Sequence, residues 1–505
     1  MTVDESDFKR MVNRARAVFA TPSIAAALCV GSETYYHVRG HTRVLGGKAN
    51  EQTVYPIASA SKAFIATCVM MLVEEGLLNL DTPVKRYMSD LELFTPQLTE
   101  QLTPRDMLSH FSGLPRHDAT LQLRATATLQ EMVCALRWLE PAWGLRERFC
   151  YQNHMFAVAS LLVERICGKP WGEVVRERVF EPLGMTRSYT SSKDYRQADS
   201  NYAHPLVTRA RVSVPIYSSP TEATACAGAL SMSIGDLLRW GRANLVASQN
   251  ACQPTGQPPL ISPASARELH KAQTPIRSGE MTPYNTPFVE TDAYGLGWFV
   301  ETYRGAPLIH HGGTINGFKS VVGFLPGHDC AFAVLVNQNG SAAPAALMRG
   351  FADAVIGAGS VDSASEGERH GQAYEAYDWC DFYRKLVRKQ RAKAEHDYHT
   401  AFAQKSQKLP AQCEGSYRHP AYGELRVANT PRGPRLLAGN QGFRLRPGVQ
   451  TPWVIDTGVL RLAVPCYFES GSFNAFLEPE LKKPICFVGA ATSPSASSVP
   501  KDTTP

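Results

Sequence analysis

Between Tyr55 and Asp81 the chain reads YPIASASKAFIATCVMMLVEEGLLNLD, two serines and a lysine opening a long apolar run. From Ser59 to Gly76 the run is apolar on most faces and closes on a glycine, which predicts a helix buried at the centre of a domain. Working outward, an amphipathic helix is expected over about residues 5–20, then strands at SIAAALCV and TYYHVRG. Helical patterns dominate from about 104 to 245, for example in ATLQEMVCALRWLE, MFAVASLLVERICG and SIGDLLRWGRANL. Strands return in YGLGWFVET, PLIHHGG, SVVGFLP and CAFAVLVNQN, with a helix at about 342–357. A helical block inserted between strands from both ends of one domain gives an α+β fold, an α/β/α sandwich on an antiparallel sheet, with any active site where the blocks meet.

Beyond that unit, GAGSVDSASEGERHG reads as a linker, and about 373–405 as a connecting helix with a solvated basic face (Arg384, Lys385, Arg388, Lys389, Arg391, Lys393). Short alternating runs from 411 predict a small antiparallel β-barrel or sandwich. The expected organisation is therefore 1–358, a linker and helix over 359–410, a β domain over 411–490, and a disordered tail over 491–505.

Composition narrows the partners. The 52 basic against 46 acidic side chains leave a formal charge of +6 over 505 residues, with no Lys/Arg block, so neither nucleic acid nor a charged membrane is expected. No secretory leader or spanning segment is visible at the N-terminus, which predicts a cytoplasmic protein. The 12 scattered cysteines read as reduced thiols, Cys68 and Cys134 as small buried hydrophobes. The oligomeric state is left open.

Three features carry chemistry. Ser59 and Lys62 form an S-x-x-K, and residues three apart share a helical face, so the amine can lie beside the Ser59 hydroxyl while Ser61 points elsewhere. A lysine beside Ala63, Phe64 and Ile65 is desolvated, which lowers its pKa towards a range where a neutral amine accepts a proton. The plainer alternative is a helix N-cap and a lysine that reaches water. Tyr151 and Asn153 form a Y-x-N ahead of another apolar helix, a phenol able to relay a proton and an amide able to hold a substrate carbonyl, although a lone Tyr151 also suits a structural aromatic. In PLIHHGGTINGFKSVVGFLP, His310 and His311 lie on opposite faces of a strand, so at most one faces a cleft. Gly312 and Gly313 permit close backbone approach, and the Thr314 N–H is placed to be an oxyanion donor beside that of Ser59. No H-E-x-x-H accompanies the histidine pair, so no metal or cofactor is expected.

In this order the three features resemble the serine β-lactamase and penicillin-binding family, especially the branch of class C β-lactamases, D,D-peptidases and esterases. LTPRDMLSHFSGLP, EPLGMTRSY, ACAGALSMSIGDLLRW and YGLGWF resemble that branch too, and CEGSYRHPAYGELRV is similar to the start of a lipocalin-like β domain appended to such hydrolases. The resemblance implies Ser59 as acyl-forming nucleophile, Lys62 as its proton partner, Tyr151 as general base and acid, and Asn153 as substrate positioner. His311, Gly312 and Gly313 stand where many relatives have Lys-Thr-Gly, with Thr314 giving its N–H. A histidine there is neutral or only partly charged near pH 7, which disfavours carboxylate-bearing β-lactams. The expected activity is that of a serine hydrolase, esterase, thioesterase or acyltransferase of secondary metabolism, acting on an ester, thioester or amide. The alternatives are a D-amino-acid peptidase, a β-lactamase, or a silent binding protein. An α/β-hydrolase would need a G-x-S-x-G, which the chain lacks.

Overall fold

Alternation along the first strand sets the layering. Helix α1 (Glu5–Phe19) is followed by β1 (Ser23–Val30) and β2 (Glu33–Gly40). Ala25, Ala27 and Cys29 of β1 enter one apolar cluster, while Ile24, Ala26 and Leu28 enter another, so the sheet is buried on both faces. The computed structural model describes residues 3–124, 126–198, 200–209, 212–216, 225–249, 251, 258–278, 280, 286–357, 377–403, 407–438, 441–457 and 463–489. Strands β3 (Thr274–Pro275), β4 (Val289–Tyr294), β5 (Phe299–Tyr303), β6 (Ala306–Ile315), β7 (Phe318–Leu325) and β8 (Cys330–Val336) complete an antiparallel sheet of order β2-β1-β8-β7-β6-β5-β4-β3.

One face carries α1 and α5 (Ala343–Ile356), where Phe8 meets Phe351 at 5.5 Å between ring centroids. The other carries α2 (Lys62–Glu74), α3 (His154–Cys167) and α4 (Ile234–Gln249). Every residue of α2 from Lys62 to Leu72 is buried, and Phe64 stacks on Trp240 of α4 at 4.0 Å. Gly297, with φ +79°, lets the turn before β5 touch α2; a Cβ there would lie 2.7 Å from that of Ala66.

The reading of one helix from Ser59 to Gly76 needs correction: a 3₁₀ turn, Ala58–Ser61, precedes α2, which ends at Glu74. The block over 104–245 also holds strands absent from the helical reading: Leu206–Arg209 pairs with Val212–Pro215, and two further pieces are only two residues long, too short for alternation to reveal. Tyr55–Pro56 and Ser188–Tyr189 both pair with Ser231–Met232. Cys134 is exposed rather than buried, beside Gln130; none of the described cysteines is in a disulfide. The linker over 359–371 and the tail over 491–505 lie outside the described residues.

Helix α6 (Trp379–Thr400) runs from the sandwich to the C-terminal part. Trp379 donates its indole N–H to Asp353 of α5 at 2.7 Å, and Tyr398 donates to Asp456 at 2.7 Å. Its basic residues from Arg384 to Lys393 are exposed, apart from ion pairs of Arg384 and Lys385 with Asp381 and of Lys393 with Asp397. Strands β9 (Gly415–His419), β10 (Gly423–Thr430), β11 (Gly433–Ala438), β12 (Gln441–Pro447), β13 (Trp453–Asp456), β14 (Ala463–Glu469), β15 (Ser472–Ala475) and β16 (Ile485–Gly489) form a closed barrel. Inward residues such as Leu425, Val427 and Phe473 are buried, so its core is packed with side chains. No helix among the described residues is long and apolar enough to cross a membrane.

Candidate active site

The Ser59 turn is pinned from two sides. Ile57 donates its N–H to Leu230 O at 2.9 Å, and its carbonyl accepts from Ser320 Oγ of β7 at 2.5 Å. Gly313 of β6 is what allows this approach, since a Cβ there would sit 1.9 Å from Ile57 O. Ala58 then takes φ +50°, a left-handed conformation that costs an L-residue roughly 1–2 kcal/mol. Strain of this kind persists only where the surroundings over-determine it. Ser61 is part of that restraint: buried, it donates to Ala58 O at 2.6 Å and accepts from the Leu230 N–H at 3.2 Å. Ser59 is only half-buried, so of the two serines it is the one a substrate can reach.

Lys62 is 0% exposed, and its Nζ lies 2.7 Å from Asn153 Oδ1, 3.0 Å from Ala227 O and 3.3 Å from Ser59 Oγ. Burial, helped by the positive charge of Arg116, brings its pKa down to about 7. A neutral amine has two protons and one lone pair. The two carbonyl oxygens can only accept, so both protons go to them and the lone pair faces the Ser59 hydroxyl. Tyr151 is buried, its ring centroid 5.0 Å from Lys62 Nζ and 5.2 Å from the Arg116 guanidinium carbon. Burial raises its pKa to about 12, against the pull of a hydrogen bond to Ser59 and of Arg116, so near neutral pH it is a protonated phenol.

The two histidines part company as period 2 demands. His310 faces α5, its Nε2 3.0 Å from Glu301 Oε1, and Glu301 also pairs with Arg349 at 2.6 Å. His311 lies on the Tyr151 side, 6.4 Å between ring centroids, and is buried; its Nδ1–H donates to Gly312 O at 2.7 Å, and its Nε2 accepts from Tyr294 Oη at 2.8 Å. Burial and the nearby Lys62 keep its pKa well below the ordinary range, so His311 is neutral. Strand β6 pairs with β5 only as far as His310, whereas its pairing with β7 continues to Ile315. Gly312, Gly313 and the exposed Thr314 therefore have β7 on one flank and no described strand on the other.

Of the residues expected from sequence, Ser59, Lys62, Asn153 and Tyr151 meet directly, Gly313 lies against the Ser59 turn and His311 lies 6.4 Å from the Tyr151 ring, while Gly312 and Thr314 are placed beside them only by their positions in β6. Sequence reasoning missed Arg116, Asp118, His110, Tyr294 and the Ala227 carbonyl. Asp118 Oδ1 accepts from Asn153 Nδ2 at 2.8 Å and the carboxylate pairs with Arg116 at 2.7 Å. His110 packs on the Tyr151 ring at 4.2 Å. His110, Tyr294 and Ala227 fall inside stretches whose wording is family-like; Arg116 and Asp118 fall just beyond one, and no spacing marks them. Among the described residues, no group of three or more His, Cys, Asp or Glu side chains is arranged to hold a metal.

Comparison with known proteins bears on the family and the fold. A family model described as Beta-lactamase matches residues 8–355. Unguisins hydrolase of Aspergillus campestris is 26% identical over 441 residues, 84% of this chain and 77% of that protein. The octameric penicillin-binding protein homologue from Pyrococcus abyssi superposes with a TM-score of 0.60 at 18% identity, covering 96% of this chain and 100% of the other. D-amino acid amidase from Ochrobactrum anthropi gives 0.55 at 21% identity, covering 69% of this chain and 98% of its own.

Proposed function

The chain belongs to the β-lactamase family, and from that premise we propose that it hydrolyses an ester, thioester or amide through an acyl-enzyme on Ser59. The observation that carries this reading is the buried Lys62, held by two carbonyl oxygens with its remaining position on Ser59 Oγ. Neutral Lys62 takes the Ser59 proton as the oxygen attacks the carbonyl, and the oxyanion rests on the Ser59 and Thr314 N–H groups. Tyr151, protonated and hydrogen-bonded to Ser59, donates to the leaving group. Water then runs the proton movements in reverse: it gives a proton to the Tyr151 phenolate as it attacks the acyl carbonyl, and the Lys62 ammonium returns its proton to Ser59 Oγ as the acid leaves. Its fungal relative being named a hydrolase supports water as acceptor. A neutral His311 offers no cation to a substrate carboxylate, so β-lactams are poor candidates.

A fluorophosphonate probe tests this: intact mass should show one adduct on the wild type and on Ser61→Ala, and none on Ser59→Ala. The labelling rate should fall below about pH 7 as Lys62 becomes protonated. An unlabelled wild type, or a labelled Ser59→Ala, sinks the reading.

A further inference from the structure

Arg116, His117 and Asp118 lie outside every motif named above, yet they join the barrel to the proton-moving groups. His117 has φ +46°, a conformation that must be held in place. The barrel does much of the holding: the His117 N–H donates to Glu478 at 2.5 Å, and its Nδ1 accepts from Tyr422 Oη at 2.6 Å. Its Nε2–H donates to Glu140 O at 2.9 Å, which completes its hydrogen bonding. On one side of it, Asp118 holds Asn153 Nδ2 while Asn153 Oδ1 holds Lys62. On the other, the Arg116 guanidinium lies over the Tyr151 ring.

We propose that Arg116 and Asp118 are positioning residues for the Ser59 reaction, Asp118 through Asn153 on Lys62 and Arg116 through its field on Tyr151 and Lys62. The barrel keeps both in register by gripping His117 between Tyr422 and Glu478, so turnover requires the barrel. This rests on the acyl-enzyme reading above.

The two charges act on Lys62 in opposite senses, Arg116 disfavouring the ammonium and Asp118 favouring it. The other titratable groups that face Lys62 and Tyr151 are Cys226, His110, His311 and Tyr294, and Glu480 of the barrel faces Arg116. Asp118 is faced by His117 and His154, both kept neutral by burial, and by Glu478, whose carboxyl burial pushes up to about 7 in every variant, so the displacement between variants is what reports the two charges. His110 and His311 are held neutral by burial, so they do not mask the two charges.

The test is the pH profile of fluorophosphonate labelling in the full chain. Asp118→Asn should move the acid limb to lower pH and Arg116→Gln to higher pH, each by about one to two units, the scale of one charge acting over several ångströms at the effective dielectric of a buried protein site. Tyr422→Phe should slow labelling about tenfold, as loss of precise orientation does. Tyr417→Phe, which removes another buried barrel hydroxyl, one that donates to Cys413 O, should label like the wild type. Shifts of one sign, superimposable profiles, or equal rates in Tyr422→Phe and Tyr417→Phe would overturn the proposal while leaving Ser59 intact. A wild type that takes no label fails the earlier reading instead.

Discussion

The Ser59 turn and the Arg116–Asp118 segment flank the same cleft but are held differently. The turn rests on buried backbone: the Leu230 carbonyl, the Ser320 hydroxyl and a glycine that makes room. The segment rests on the barrel, through side chains 305 and 361 residues further along the chain. The nucleophile is built into a core, whereas the charges beside it are held partly by their own body and partly by a second one.

Substitutions can break or sharpen that contrast. The largest effect belongs to Tyr151→Phe, which removes the proton donor and should cut turnover of an activated ester by about two to four orders of magnitude. Gly313→Ala comes next. Its Cβ would collide with Ile57 O, and displacing strand and turn by about 1 Å should cost roughly a hundredfold in labelling rate. Gly312→Ala, with nothing nearer than 3.5 Å, should be close to neutral; if the two glycines behaved alike, the turn would not be pinned as described. The smallest effect is at the barrel contact. Lys483→Ala breaks an exposed pair with Glu140 and should change thermal stability by about 0–1 kcal/mol. A large loss there would mean the two bodies are held by surface charge rather than by the buried grip on His117.

How much was legible follows the same divide. Ser59, Lys62, Tyr151 and Asn153 announce themselves because their chemistry depends on short spacings at the mouths of apolar helices. The strands of the sheet were readable from runs such as SIAAALCV and CAFAVLVNQN, buried on both faces. The two-residue strands around Tyr55 and Ser231 were not, since alternation needs more length. Arg116 and Asp118 were invisible for a different reason: an Arg-His-Asp in a loop acquires meaning only from Tyr151, Asn153 and Tyr422, none of them a sequence neighbour. The Ser59 helix was misdrawn by one turn. Propensity cannot see that Ser320 and Gly313 force a left-handed Ala58 ahead of α2.

Helix α6, fastened at Trp379 and Tyr398, sets more than a distance between the two bodies. Its 22 residues also fix an angle. One residue inserted in its exposed middle would advance the far end by about 1.5 Å and turn it through about 100°. The barrel would then face away from His117 with every contact inside each body unchanged. Insertions here should be tolerated only in steps close to whole helical turns, which makes the helix a phase lock between the two bodies.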